Sequence, residues 1–267
     1  NEYEETLNKA RGLLKAIEHG TVQSAIQDSQ QKRDQAIANR GRIFVGTNQY
    51  SNADDKMADQ IDTKFQTVSL DESEEKFDPD IENLPADLAK TFADGATIGD
   101  IIPHLFDFGK HQFRTVATYR GTQAFEELRL ATERHDTTPK VLTLPMGNKK
   151  WRKGRSTFTA NFFGCAGYDI EDPIGFENVD AAVDAIKEQK PDVAVICSSD
   201  KEYKKLVPAI CKQLKKMNNR PIIVLAGYPK EDVETYQEAG VDEFIYSNCN
   251  VLETLKRFQQ KLDIIEN

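Results

Sequence analysis

Residues 138–267 read as an α/β segment built on a doubly wound parallel sheet. Three observations point there. Five short strand-like runs alternate with helical patterns after Thr138-Pro139. Two of those runs, Val193-Ala194-Val195-Ile196 and Ile222-Ile223-Val224-Leu225, are continuously apolar rather than alternating, as strands covered by helices on both faces must be. Crossovers between such strands are right-handed, which leaves a flavodoxin-like or a Rossmann-like strand order. In either order the carboxyl ends of the strands form the natural ligand edge.

Taken in order, the chain opens with Leu7, Ala10, Leu13, Leu14 and Ile17 at three- and four-residue intervals, an amphipathic helix over Glu2–Glu18 that Gly20 stops. Thr21 caps a second helix, with Val22 and Ile26 early and Ala36 and Ile37 late, and Gly41 ends it. Arg42-Ile43-Phe44-Val45-Gly46 then reads as a short strand. Helix, helix and strand cannot bury their apolar stripes alone, so this piece packs on later parts of the chain or ends a domain lying upstream. The start at Asn1, with no initiator Met or leader, is expected of a fragment. From Ser69 to Asn83, seven carboxylates outnumber the single Lys76, and Pro79 and Pro85 read as helix breakers. This is expected to be a solvated linker, since the Gly-punctuated loop of a calcium site is missing. Helical pattern returns at Thr97–Phe106 and at Thr122–Arg134. The strands are expected at Lys140–Leu144, Tyr168–Ile170, Asp192–Cys197, Ile222–Ala226 and Glu243–Tyr246. Their helices are expected near Ser156–Cys165, Val179–Gln189, Lys201–Met217, Lys230–Glu238 and Val251–Leu262.

Composition narrows the function classes. The 267 residues carry 44 Asp and Glu against 35 Lys and Arg, a net charge of −9, which argues against nucleic-acid binding. No apolar run approaches the roughly 18 residues of a membrane span. Cys165, Cys197, Cys211 and Cys249 show no short paired spacing, so reduced thiols and a cytoplasmic location are expected.

The loop after the first strand, Pro145 to Arg155, holds five basic residues among its last seven. It could hold an anion at the following helix. Without a GxGxxG or GxxxxGK[ST] pattern, a solvated or partner-facing basic loop is the preferred reading. Trp151, the only tryptophan, is either an interface anchor or a lid on the core. Ser198 and Ser199 end the third strand and either contact a ligand or cap the next helix, capping being the commoner role. Asp200 is no receiver-type phosphoacceptor, because Leu144-Pro145 lacks the acidic pair that such a site needs. All four histidines precede Asp136, so the α/β segment cannot build a histidine-centred acid–base pair or metal site by itself. Cys197 reads as a small buried hydrophobe.

From Lys140 to the end the sequence resembles the cobalamin-binding domain of acyl-CoA mutases, a flavodoxin-like module. The likeness is carried by Pro191–Ser199, Leu206-Val207-Pro208, Arg220–Gly227 and Glu238-Ala239-Gly240-Val241. Upstream, Arg42–Asn48 and the helices before it resemble the end of the barrel domain of methylmalonyl-CoA mutases. Tyr119-Arg120-Gly121 and Phe125–Arg129 resemble interdomain helices of their small subunits. The resemblance implies three regions: 1–48, the end of a TIM-barrel domain; 49–138, a linker with interdomain helices; and 139–267, a five-stranded cobalamin-binding-like domain.

The departures from that family's pattern are informative. Its cobalamin loop reads Asp-x-His-x-x-Gly, and Lys149, Trp151 and Gly154 fall at those places here. A lysine is cationic and an indole nitrogen has no free lone pair, so neither reproduces a carboxylate-backed imidazole. Binders carry Gly-Gly after the fourth strand and Pro-Gly-Thr after the fifth, where the nucleotide tail passes close to backbone. This chain has Ala226-Gly227 and, near the second place, Tyr246-Ser247-Asn248-Cys249. Asp200 follows the serine pair where binders carry leucine.

The pattern resembles the small, non-catalytic subunits of heterodimeric methylmalonyl-CoA mutases. That resemblance implies a structural, partner-binding chain with no catalytic residue, no metal and no cofactor of its own. The degenerate positions would be Lys149, Trp151, Gly154, Ser198, Ser199, Ala226, Gly227 and Tyr246. The partner would be the large subunit, which carries adenosylcobalamin and isomerises methylmalonyl-CoA and succinyl-CoA. The alternative is a working corrinoid domain that binds cobalamin without a protein histidine.

Overall fold

The computed structural model describes residues 5, 12–13, 15–52, 55–58, 84–97, 101 and 114–266. The chain divides into two compact units. The first comprises Asn1–Gln27 and Asp62–Ala117, the second Asp28–Ile61 and Thr118–Asn267.

Helix α1 (Thr21–Ala38) starts in the first unit, after the left-handed Gly20, which ends the preceding helical turn as expected. Gln23 is buried there and donates from Nε2 to Ile17 O at 3.2 Å and to Arg114 O at 3.0 Å. Helix α2 (Leu84–Ala93) departs from the expectation that Pro85 breaks helical structure. Proline is tolerated in a first turn, where its missing N–H has no intrahelical partner to lose. Asp87 in the first turn and Lys90 in the last suit the helix dipole. The expected linker 69–83, most of Thr97–Phe106 and most of Glu2–Glu18 lie outside the described residues.

The second unit holds α3 (Gln123–Arg134), β1 (Lys140–Pro145), α4 (Lys149–Gly164), β2 (Asp169–Glu171), α5 (Val179–Gln189) and β3 (Val193–Cys197). It continues with α6 (Asp200–Leu214), β4 (Ile222–Ala226), α7 (Val233–Ala239), β5 (Glu243–Ile245) and α8 (Val251–Lys261). All four strand pairings are parallel, in the order β2-β1-β3-β4-β5. That is the flavodoxin-like order, with its switch point between β1 and β3.

Alternate strand residues point to opposite faces, and the core divides accordingly. Val141, Val193, Val195, Val224 and Ile245 pack with Phe125, Phe162, Phe163 and Phe258 of α3, α4 and α8. Leu142, Leu144, Ala194, Ile196, Ile223 and Leu225 pack with Ile186, Tyr203, Val207 and Ile210 of α5 and α6. The continuous apolar runs in β3 and β4 are thus buried on both sides.

Two expectations fail locally. Arg42–Gly46 is no strand, and Val45 makes only an isolated bridge to Gln49. The buried Asn48 side chain takes the place of a strand partner. Its Oδ1 accepts from Phe44 N at 2.7 Å, and its Nδ2 donates to Ile37 O and Arg42 O at 3.0 and 2.9 Å. The helix expected near Ser156–Cys165 starts at Lys149, so most of the basic loop is helical. Asn148 caps it, accepting from Lys150 N and Trp151 N, and a run of Lys and Arg does not oppose helix formation by propensity.

Candidate functional site at the carboxyl ends of the strands

The loop leaving β1 turns at Gly147, whose φ is +73°. A Cβ there would run into the Glu202 carboxylate and would be strained at that φ, so a glycine suits the place where the two loops meet. Glu202 comes from the first turn of α6 and accepts from Asn148 N at 3.0 Å and from Ser199 Oγ at 2.6 Å. Ser198 Oγ lies 2.8 Å from its Oε2 and 2.9 Å from Met146 O. The hydrogen bond from Ser199 is foremost in holding the Glu202 carboxyl below its ordinary value, with help from Ser198 and from the N–H groups of Ser199 and Asn148 against partial desolvation. Both serines are therefore engaged by the chain itself.

Beneath them Tyr203, fully buried, accepts the Ser198 N–H at 3.0 Å and donates to Ala226 O at 2.7 Å. Burial pushes its phenol well up, so it stays neutral. This hydroxyl ties β3 to β4 directly under the edge.

After β4, Gly227 has φ +148° and donates its N–H to Ile245 O at 2.8 Å. Its open side faces the Arg155 guanidinium, whose Nη1 would stand 2.8 Å from a Cβ built there. Arg155 reaches across from α4 and donates to Asp200 Oδ1 at 3.0 Å. Tyr246 packs at a tilt against Tyr228 on the β5 side, with centroids 4.7 Å apart. Asp200, which in the sequence is only a departure from the family pattern, is here the partner of an arginine.

On the β2 side Asp172 accepts from Thr143 Oγ1 at 2.6 Å and pairs with Lys153 Nζ at 3.0 Å. Trp151 is 52% exposed, so it is not a lid on the core. Lys149, Lys150 and Gly154 are also exposed. Cys197 is fully buried 3.6 Å from Thr159 Oγ1, and burial pushes its thiol up to about 12. It is the small hydrophobe expected, not a nucleophile.

Of the positions singled out in the sequence, Ser198, Ser199, Ala226, Gly227 and Tyr246 line one edge of the sheet, and Lys149, Trp151 and Gly154 lie along the first turns of α4. Sequence reasoning missed Glu202, Arg155 and Tyr203 as the groups that fill this edge. Ser199-x-x-Glu202 carried a readable signal, the spacing of a capping box. Arg155 and Tyr203 carried none, because nothing local distinguishes them from other helix residues. No group of three metal-ligating side chains occurs among the described residues. The side chains present do not fit a protein-ligated cobalt, since the positions in question offer an ammonium and an indole instead of an imidazole. Among the described residues no helix is long and apolar enough to cross a membrane.

A five-stranded parallel module in flavodoxin-like order, with its ligand edge packed by its own side chains, defines the class of domain present. The methylmalonyl-CoA mutase family model matches residues 1–100. The chain is 35% identical over 261 residues to a methylmalonyl-CoA mutase small subunit of Porphyromonas gingivalis, covering 97% of this chain and 35% of that protein. It is 24% identical over 291 residues to a methylmalonyl-CoA mutase of Rhizobium meliloti, covering 96% of this chain and 40% of that one. A probable methylmalonyl-CoA mutase small subunit of Mycobacterium tuberculosis is 29% identical over 148 residues, covering 54% of this chain and 23% of that protein. The chain thus spans less than half the length of these relatives. It belongs to the methylmalonyl-CoA mutase family, as the motifs led one to expect.

Proposed function

We propose that the chain is part of a non-catalytic small subunit of a heterodimeric methylmalonyl-CoA mutase and that its cobalamin site is lost. On this reading it works in the cytoplasm as a structural partner of the large subunit. The large subunit holds adenosylcobalamin and interconverts methylmalonyl-CoA and succinyl-CoA, while this chain binds no cofactor. One observation carries the proposal. At Gly147 and Gly227, after β1 and β4, the space beside the backbone is taken by a side chain with bonded partners, Glu202 and Arg155 respectively. Admitting a nucleotide tail would require breaking those bonds without an imidazole to offset the cost at cobalt.

The partner-binding part of the proposal is supported by the exposed face of α4. Its first turn carries no acid, yet Lys149, Lys150 and Arg152 stand at the positive end of the helix dipole beside the exposed Trp151. Cations at that helix end cost the isolated chain stability, and an exposed tryptophan beside an arginine matches the residue types enriched at protein interfaces.

A cobalamin titration tests the cofactor reading, following the corrin visible bands together with Trp151 fluorescence. No spectral change is expected at concentrations that saturate a competent mutase domain. Saturable binding would overturn the lost-site reading in favour of a corrinoid domain without a protein ligand. Co-elution with the mutase large subunit on gel filtration tests the partner.

A further inference from the structure

The unit that holds the sheet is discontinuous in sequence, and we propose that its remote part, residues 28–52 with 55–58, is an integral strap without which the sheet domain is incomplete. On this proposal the domain boundaries that the resemblance implies, at 48/49 and 138/139, cut through it.

The polar fastening is built on α3. Arg129 and Glu133 form an ion pair at 2.8 Å with both side chains only 4% exposed. A buried ion pair is tolerable only when its remaining hydrogen-bonding groups are satisfied. Here the strap backbone satisfies them. Arg129 Nη2 donates to Asn52 O at 2.9 Å and to Asp55 O, and Glu133 Oε2 accepts from Met57 N and Ala58 N at 2.8 and 2.9 Å. A second fastening lies on α4, where Arg40 joins Asn48 O at 2.7 Å to Asn161 O at 2.8 Å and covers the Phe162 ring. Arg40 holds a left-handed φ of +61°, a conformation that a non-glycine residue adopts at a cost.

The apolar side agrees. Ile37, at the end of α1, is 3% exposed within the cluster of Phe125, Phe162 and Phe258, and Phe44 packs against the same cluster. Ser51 Oγ sits 2.8 Å from where a Cβ on Gly164 would be, so the strap rests directly on the end of α4. Removing the strap would strip bonds from two buried charges and open the aromatic layer that covers β1, β3 and β4. Its contribution is therefore to the stability of the sheet and not only to its own placement.

Native-state hydrogen exchange of the whole chain tests this, read at the β3 amides Val193–Cys197, which exchange through opening of the sheet domain. Asn48→Ala and Arg40→Met lie in the strap, distant in sequence from β3. Each is expected to speed the slowest β3 amides by about tenfold or more, the effect of losing the hydrogen bonds of a buried asparagine or of a half-buried arginine. Val45→Thr, at an exposed strap position, is expected to leave them unchanged. If Asn48→Ala does not yield soluble protein, Asn48→Ser and Arg40→Met are read in its place. Unchanged β3 exchange in folded Asn48 and Arg40 variants, with faster exchange confined to the strap amides of Phe44, Met57 and Ala58, would overturn the proposal.

Discussion

Tyr203 and Glu202 stand next to each other in the chain and fasten the same edge by different means. The Tyr203 hydroxyl is a neutral buried bridge. Its removal in Tyr203→Phe leaves the Ser198 N–H and the Ala226 carbonyl without that partner, with an expected loss of about 1–3 kcal/mol measured by urea denaturation. Glu202 is a charged bridge whose contribution depends on pH. Its folded-state carboxyl sits below its ordinary value of 4.5, so the stabilisation is complete above that pH and is lost as the pH falls through the folded value. Glu202→Gln is therefore expected to unfold with a shallower pH dependence than the parent below about pH 4.5. Thermal melts of both proteins between about pH 3 and 7, a range that brackets carboxylate titration, check the difference. Equal slopes would show that Glu202 does not hold the loop in solution. Arg155–Asp200 is a weaker device energetically, because Asp200 is 60% exposed and solvent screens the pair. Its importance is steric, since the guanidinium occupies the open side of Gly227.

At the level of elements, α4 begins on opposing local effects. Its N-cap is good, with Asn148 accepting from two amides, yet the next turn is entirely basic or aromatic up to Lys153. Lys150→Glu is expected to raise the unfolding free energy by about 0.3–1 kcal/mol through the helix dipole, and by less at high salt. Gly154 lies inside the helix with nothing within 4 Å of a Cβ placed on it and no positive φ. Gly154→Ala should therefore stabilise the protein by about 0.5–1 kcal/mol. Differential scanning calorimetry reads both gains, and a loss in Gly154→Ala would mean that the helix does not extend to Lys149. That extension could not be seen in the sequence, because a glycine among charged residues has the appearance of a loop. The Asn48 segment shows the converse case. Ile43, Phe44 and Val45 have strand-like composition, but a buried asparagine three residues beyond Val45 takes up the backbone groups that a neighbouring strand would have bonded.

For the molecule as a whole, the sheet has a gradient of expected protection. β3 pairs with β1 and β4 and is buried throughout, whereas β2 and β5 are three-residue edge strands. The β3 amides are expected to exchange slowest and those of β2 fastest, checked in the same hydrogen-exchange series. Equal protection across all five strands would mean that β2 is held by something beyond its single pairing with β1. The strand positions and their parallel arrangement were legible from residues 140–246, because continuous apolar runs of four or five residues between helical patterns permit few layer arrangements, while the choice of the flavodoxin-like order rested on the family resemblance. The family was legible from motifs at the strand ends, and the lack of a histidine after His135 was legible by inspection.

By itself, then, the sequence determined the strands of the α/β segment and most of its helices, its layer class, its mutase family and the residue types at the ends of its strands. These are local properties, set by apolar periodicity and by residue identity at short spacing. Only the tertiary structure decided which side chains fill the edge and what the sheet domain includes. Asn148 meets Glu202 across 54 positions, Arg155 meets Asp200 across 45, and Arg40 meets Asn161 across 121. Such pairings depend on strand register and helix packing acting together, and no window of sequence short enough to show periodicity contains both partners.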